Sequence, residues 1–262
     1  MTQPTGGANG SSDRALLEGP HSRFHELLLL FRVMRDFIKG FRVLHFVGPC
    51  VTIFGSARFN ASHPYYALTR DVAQRVSRLG FTVMTGGGPG LMEAANRGAR
   101  DAGGPSVACN IELPHEQGTN PYVDRSVSAH YFFVRKVLLF KYSYAFIAMP
   151  GGLGTMDELF EALTLVQTKK IRNFPVVLIG TEYWKTLMAL LQDLERAGAI
   201  ASEDLNLVMV TDDLDAAMAH LELHTVEPFG LKRRKPRSWL GERGISASAD
   251  SPTPSASPNP RQ

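Results

Sequence analysis

The chain has 262 residues, of which 44% are hydrophobic and 20% charged, a composition that suits one globular α/β domain with tails. The formal net charge of +3 arises locally: the stretch from Pro228 onward carries +5, which leaves −2 for the rest. A slightly acidic body argues against a nucleic-acid-binding domain, and no apolar run reaches the roughly 18 residues of a transmembrane helix.

The first residues lack the basic-then-apolar pattern of a signal peptide, so we expect a cytoplasmic protein. The two cysteines, Cys50 and Cys109, lie in apolar strand-like runs and are predicted to be buried free thiols. Cysteine and histidine do not cluster at metal-ligand spacing, so the sequence predicts no metal site.

Four regions follow from the pattern along the chain. Residues 1–20 and 228–262 are rich in Gly, Ser and Pro and are predicted to be disordered tails, the second one basic. Residues 21–48 form a helical extension, because apolar side chains recur at helical spacing over 21–39. That helix is apolar enough to pack on the body or on a neighbouring subunit, and periodicity does not distinguish the two. Residues 49–227 form the main domain.

In the main domain, short apolar runs alternate with amphipathic helices. The predicted strands are residues 51–54, 82–85, 106–110, 127–133, 144–149, 175–179 and 207–210. This alternation with short loops predicts a doubly wound α/β fold, in which a mostly parallel, Rossmann-like sheet carries helices on both faces.

A glycine-rich stretch, PGGLGTMDE at residues 150–158, connects one buried strand to the next helix. Free N–H groups and the positive end of the helix dipole make such a turn an anion site, and its glycines let a phosphate approach the backbone. The predicted phosphate contacts are Gly151, Gly152, Gly154 and Thr155. The alternative is a structural turn closed by a capping box.

Two further strands end in small residues. One is followed by Gly55 and Ser56, and the other by Gly86, Gly87 and Gly88. Because ligands of doubly wound folds bind beyond the carboxyl ends of the strands, all three loops are expected to line one crevice.

Three motifs occur in a family-specific order and spacing. PGGLGTMDE matches the pattern PGGxGTxxE, GGGPGLMEAAN occupies residues 86–96, and the pair Arg135-Lys136 lies between them. Together they resemble the LOG family over about residues 51–221. This family was long labelled lysine decarboxylase and includes phosphoribohydrolases that release cytokinin bases from nucleotides. The resemblance implies hydrolysis of AMP or N6-modified AMP to free base and ribose 5-phosphate, without metal or organic cofactor. It also implies a homodimer or larger homo-oligomer.

The resemblance implies that Glu158 and Arg135 are the catalytic residues. Breaking an N-glycosidic bond builds positive charge on the sugar, which a carboxylate can stabilise. Whether Glu158 acts as base, nucleophile or electrostatic stabiliser stays open. The guanidinium of Arg135 offers a planar fork of donors to phosphate or ribose oxygens.

Other positions are expected near the substrate. Met92 lines the purine pocket or packs in the core, and Lys136 is a substrate contact or a surface lysine. Asp157 stands where many relatives carry Glu. Glu116 lies in a loop where the chain departs from the family pattern, and Thr164 follows Glu158 by six residues.

Three other functions would need different sequence features. A non-catalytic nucleotide or cofactor carrier of the same fold would need the glycine loop but not Arg135 and Glu158. A pyridoxal-phosphate decarboxylase needs a Schiff-base lysine in a larger fold. A redox Rossmann enzyme needs G-x-G-x-x-G, which GGGPG lacks.

Overall fold

The computed structural model describes residues 17, 19, 22–112, 118–171 and 174–226 of the chain. Apart from residues 17 and 19, the predicted tails 1–20 and 228–262 lie outside the described residues.

Among the described residues, seven strands form a single sheet. Their bounds are β1 (Cys50–Phe54), β2 (Thr82–Thr85), β3 (Ser106–Ile111), β4 (Arg125–Ala129), β5 (Ser143–Ala148), β6 (Val176–Ile179) and β7 (Val208–Thr211). The strand order is β4-β3-β2-β1-β5-β6-β7, and each neighbouring pair is parallel. The order reverses direction between β1 and β5, which is where ligands of doubly wound folds bind.

In the part of the chain that the structure describes, seven α-helices surround the sheet. They are α1 (Arg23–Leu44), α2 (Pro64–Arg78), α3 (Leu91–Asp101), α4 (Phe132–Tyr142), α5 (Leu153–Gln167), α6 (Thr181–Arg196) and α7 (Leu214–Leu221). A 3-10 turn spans Ser202–Leu207, and a π-helical turn, Glu222–Val226, follows α7.

The core consists of two apolar clusters, one on each face of the sheet. Side chains from α1, α4, α5 and α6 form one cluster, which includes the buried Trp184. Side chains from α2, α3 and α7 form the other. Within β1, Val51 and Ile53 enter one cluster while Cys50 and Phe54 enter the other, as the two-residue period of a strand requires. The predicted doubly wound α/β fold with helices on both faces is confirmed.

Helix α1 lies along the edge strand β4 and is held there by polar contacts. The buried carboxylate of Asp36 accepts hydrogen bonds from the backbone N–H of His130 at 2.7 Å and contacts its ring Nδ1 at 2.8 Å. Lys39 donates from Nζ to the carbonyl oxygen of Ser128. Helix α1 therefore packs on the sheet of its own chain.

The outward side of α1 is apolar and exposed. The exposed side chains are Phe24, Leu27, Leu28, Leu30, Phe31, Met34, Ile38 and Phe41. Packing on the body and packing on a neighbouring subunit are therefore compatible, because one side of α1 packs on the body and the other side is exposed. No helix among the described residues is long and apolar enough to cross a bilayer.

Candidate functional site

A cleft of about 510 Å³ opens at the carboxyl edge of the sheet, at the β1–β5 reversal point. Its walls are formed by Phe54, Gly55, Ser56, Ala57, Arg58, Met92, Arg135, Gly152, Leu153, Gly154, Thr155 and Glu158. The loops after β1 and β5 are joined by a hydrogen bond from the N–H of Ser56 to the carbonyl oxygen of Pro150, 3.0 Å long. Residues from three separate motifs of the sequence therefore meet in one cleft.

The loop after β5 exposes the amino end of helix α5 to this cleft. Gly152 is the N-cap, and it makes no side-chain capping bond, so the capping-box alternative does not hold here. The first helical turn begins with Leu153 and Gly154, both exposed, and their N–H groups have no acceptor within the helix. Such groups, together with the helix dipole, suit an anion.

The glycines of this loop have different structural roles. A Cβ on Gly151 would lie 2.1 Å from Oγ1 of Thr155, so that position is closed to any larger residue. A Cβ on Gly152 or Gly154 would meet no atom within 4 Å. The carbonyl oxygen of Gly151 also accepts a hydrogen bond from the hydroxyl of Tyr183 at 2.6 Å. Gly151 shapes the loop, while Gly152 and Gly154 leave space in front of it.

The triple-glycine loop after β2 supports the cleft from behind. A Cβ on Gly86 would lie 2.8 Å from both Arg135 Nη2 and Met92 Sδ, and a Cβ on Gly88 would lie 2.8 Å from Met92 Cε. Gly87 has φ +80°, a conformation that favours glycine. The loop thus sets the positions of Arg135 and Met92, which do line the cleft, and Met92 is half-buried there.

A buried amide network fixes the triple-glycine loop. Asn120 donates from Nδ2 to the carbonyl oxygens of Gly87 and Gly88 and to Oδ1 of Asn96, at 2.9–3.1 Å. Asn96 Oδ1 also accepts from the hydroxyl of Thr85 at 2.7 Å. Sequence reasoning did not single out these asparagines for a role. The only signal was the position of Asn96 at the end of the second family motif.

Arg135 and Glu158 meet in the wall of the cleft. Arg135, in the first turn of α4, donates from Nη1 to Oε1 of Glu158 at 3.0 Å and from Nε to the carbonyl oxygen of Cys109 at 3.0 Å. The second carboxylate oxygen, Oε2 of Glu158, is buried and has no hydrogen-bond partner among the described residues. One oxygen of this carboxylate is therefore committed to Arg135, and the other is available to a ligand.

Burial raises the pKa of Glu158, while the charges of Arg135 and Lys136 act in the opposite direction. Glu158 is only 2% exposed, which explains why desolvation dominates. A carboxyl group with a raised pKa in a cleft is typical of functional sites.

Lys136 and Asp157 point away from the cleft. Lys136 Nζ forms ion pairs with Asp157 Oδ1 at 2.8 Å and with Glu161 Oε2 at 2.7 Å. Burial alone would lower the pKa of Lys136, but these hydrogen bonds raise it. Neither Lys136 nor Asp157 lines the cleft, so both support the walls from outside as an α4–α5 contact.

Two further predicted contacts are not found in the cleft. Thr164 is exposed, and its hydroxyl donates to the carbonyl oxygen of Phe160 on its own helix, so the structure does not bring it to the site. Glu116 lies outside the described residues. Conversely, sequence reasoning did not include Arg58, Ala57 and Leu153, which line the cleft.

Metal and thiol chemistry find little support in the described part of the chain. No group of three or more His, Cys, Asp or Glu side chains could hold a metal ion there. Cys50 and Cys109 are free and buried, as predicted. Burial raises the pKa of Cys109 to about 12, so its thiol stays protonated and is a poor nucleophile.

Comparisons with known proteins connect this geometry to a family. The family model described as "possible lysine decarboxylase" matches residues 92–221. The cytokinin riboside 5'-monophosphate phosphoribohydrolase of Rhodococcoides fascians is 30% identical over 178 residues, which cover 64% of this chain and 87% of that protein. The protein of the same name from Mycobacterium marinum is 29% identical over 160 residues, covering 60% of this chain and 86% of that one.

A solved structure supports the fold alone. The molybdenum cofactor carrier protein of Chlamydomonas reinhardtii aligns with a TM-score of 0.51 and 22% identity, covering 68% of this chain and 98% of that chain.

Proposed function

Because this chain belongs to the LOG family, we propose that it is a nucleoside 5′-monophosphate phosphoribohydrolase. It hydrolyses the N-glycosidic bond of AMP, of N6-modified AMP, or of both, and releases the base and ribose 5-phosphate. One observation carries the proposal: the buried pair of Arg135 and Glu158 lines the same cleft as the amino end of α5, and Glu158 keeps one oxygen without a partner among the described residues.

The phosphate is bound by the N–H groups of Gly152, Leu153 and Gly154 at the amino end of α5, while the N–H of Thr155 donates to the carbonyl oxygen of Gly152. The ribose then lies between this loop and Glu158, and the base extends past Met92. As the C1′–N bond breaks, the sugar gains oxocarbenium character. A water molecule adds its OH group to C1′, and the proton that this water loses balances the proton taken up by the base. The carboxylate of Glu158 stabilises that positive charge, and its unpaired Oε2 accepts a hydrogen bond from a ribose hydroxyl or from the attacking water.

Arg135 positions Glu158 for this task. Its guanidinium is fixed at both ends, by the carbonyl oxygen of Cys109 and by Oε1 of Glu158. The pairing also favours the ionised form of Glu158, which burial alone would disfavour. A pure phosphate binder has no need of such a pair, which favours catalysis over a carrier function.

The experiment uses the purified full-length chain with AMP, isopentenyl-AMP, GMP, CMP and adenosine, and free base is measured by chromatography. We expect base release from AMP, from isopentenyl-AMP or from both, and none from adenosine, because the amino end of α5 has no role for an uncharged 5′-hydroxyl. Glu158→Gln serves as the control for contaminating hydrolases. Nucleotide binding without base release would support the carrier instead.

The remaining features of the protein fit an enzyme of this kind. We propose that residues 49–227 form the catalytic domain and that the chain works as a homo-oligomer, at least a dimer, in the cytoplasm. The exposed apolar side of α1 supports the assembly, and the two buried free thiols suit a reducing compartment.

A further inference from the structure

Arg58 is the second cation in the wall of the cleft, and nothing in the described chain neutralises it. Arg135 is committed to Glu158, so these two charges compensate each other. The side chain of Arg58 makes no hydrogen bond or ion pair with any described residue, and it is exposed. An unpaired guanidinium at the mouth of a cleft is therefore the one uncompensated charge among the described residues that line it.

The backbone holds Arg58 in a fixed place beside the glycine loop. Its N–H donates to Oγ of Ser56 at 3.1 Å, and Ser56 in turn bonds through its N–H to the carbonyl oxygen of Pro150. The carbonyl oxygen of Ser56 accepts from the N–H of Leu91 at 2.9 Å, which connects the same loop to α3. The loop that carries Arg58 is thus anchored to the loop that begins at Pro150, although the long side chain is free to move.

Charge decides which end of a nucleotide this side chain would meet. A phosphate monoester carries close to two negative charges at neutral pH. The amino end of α5 offers only a partial positive charge of about half a unit. A guanidinium beside that helix end supplies the missing charge, and its planar fork can donate to two phosphate oxygens at once.

We propose that Arg58 binds the 5′-phosphate of the substrate from the side opposite Gly152–Thr155. In this arrangement the helix end fixes the position of the phosphate, and Arg58 supplies the charge that makes the cleft selective for nucleotides over nucleosides. The inference rests on the proposed function for the identity of the ligand. It concerns binding and not chemistry, since Arg58 is not placed at the glycosidic bond.

The test compares Arg58→Ala and Arg58→Lys with Arg78→Ala in the full-length chain. Arg78 is an exposed arginine on α2 that bonds only to Gln74 among the described residues, so it is a matched control for loss of surface charge. Calorimetry measures the binding of AMP, ribose 5-phosphate and adenosine, and steady-state kinetics with AMP gives KM and kcat separately.

We expect Arg58→Ala to weaken binding of AMP and of ribose 5-phosphate by about 10- to 100-fold, the range for loss of charge-assisted hydrogen bonds. Binding of adenosine should not change, KM should rise more than kcat falls, and Arg58→Lys should recover part of the loss. Unchanged affinity for ribose 5-phosphate would overturn the proposal, as would an equal loss for adenosine, which would indicate a structural role.

The binding measurements separate this inference from the proposed function. If the binding of phosphate ligands depends on Arg58 but the chain releases no base, the proposed hydrolase activity is refuted and the Arg58 phosphate site is retained. Base release with unchanged ligand affinity in Arg58→Ala would refute the Arg58 site alone.

Discussion

Arg135 Nη1 lies 3.0 Å from Oε1 of Glu158, while Oε2 of the same carboxylate is buried without a hydrogen-bond partner among the described residues. An unsatisfied buried polar group costs on the order of 1–3 kcal/mol. Arg135 comes from the first turn of α4 and Glu158 from the second turn of α5, so the fold brings them together at that cost. Stability given up at a cleft is typical of a site selected for function.

Replacing Glu158 by Gln should abolish base release while nucleotide binding persists. The phosphate contacts of the α5 amino end are backbone groups, which the substitution does not touch. Loss of a charge-stabilising carboxylate should lower kcat by about 10²-fold or more. Steady-state kinetics together with calorimetric AMP binding checks this, and turnover close to that of the parent chain would contradict the assigned role.

The same variant should be at least as heat-stable as the parent at neutral pH. Because burial raises the pKa of Glu158, the folded state holds the proton more tightly than the unfolded state, and ionised Glu158 lowers stability. A neutral amide removes that cost and keeps an oxygen for Arg135. Thermal melts should show the Tm difference shrinking as the pH falls through the raised pKa of folded Glu158, and levelling off below the ordinary glutamate pKa, where the folded and unfolded states are both protonated. A lower Tm for the variant at neutral pH would contradict this.

The rate should fall on the acid side at a higher pH than an ordinary carboxyl group would give. Protonation of Glu158 removes the negative charge that stabilises the sugar, and burial raises the pKa at which this happens. The profile of kcat/KM against pH in the parent chain measures it directly. An acid limb at or below the usual glutamate pKa of about 4.3 would show that ionisation of Glu158 is not required.

Arg135→Lys should not restore the activity lost in Arg135→Ala. The guanidinium bonds at once to the carbonyl oxygen of Cys109 and to Oε1 of Glu158, and a single ammonium group cannot reproduce that geometry. Kinetics of the two variants, with circular dichroism to confirm folding, checks this. Full activity of the lysine variant would mean that Arg135 supplies only diffuse charge.

The order of strands and helices was predictable because each element has a clear period and a short loop. The predicted bounds of two elements were wrong, because tertiary packing overrides local secondary-structure propensity there. The strand predicted for 127–133 ends at Ala129, because Phe132 and Phe133 already belong to α4. The first helix continues past residue 39, because Gly40 packs against Leu138 and does not end it: a Cβ there would lie 2.4 Å from that side chain.

The residues that line the cleft were harder to predict, because the side chains of neighbouring helical positions point in different directions. Successive helical residues differ by about 100°, so Arg135 can face the cleft while Lys136 does not. For the same reason Glu158 faces the cleft, while Thr164, six residues further on, points elsewhere. Asn120 bonds to Gly87, 33 residues earlier, and no local pattern predicts such a pairing. In the sequence, nothing distinguishes Arg58, which follows a strand and a turn, from an ordinary surface arginine.

Two glycines of the α5 loop make a matched pair for testing the phosphate site. Gly151→Ala should lower Tm, because its Cβ would lie 2.1 Å from Thr155 Oγ1. Gly154→Ala should leave Tm within a few degrees, since a Cβ there meets no atom within 4 Å, but its methyl group would occupy space in front of the helix end. We expect Gly154→Ala to weaken ribose 5-phosphate binding by calorimetry. Unchanged affinity would place the phosphate elsewhere.

The outward side of α1 should be an interface between copies of this chain. Phe31 and Ile38 lie two helical turns apart on the exposed apolar side and are 55% and 58% exposed. An exposed apolar patch of this kind marks an association surface. Deleting α1 would be a poor test, because Leu44 and Gly40 of the same helix pack into the core, so the deletion would also damage folding.

Substituting the outward side chains tests the interface without touching the core. We expect the full-length parent to be a dimer or larger by light scattering, and Phe31→Ser combined with Ile38→Ser to lower the molecular mass at the same concentration, with a two-state melt retained. Arg35→Ser, an exposed polar change on the same helix, should leave the mass unchanged. If the cleft is complete within one chain, the smaller species should still hydrolyse AMP. A monomeric parent, or a mass that the double variant does not change, would show that this surface does not join the subunits.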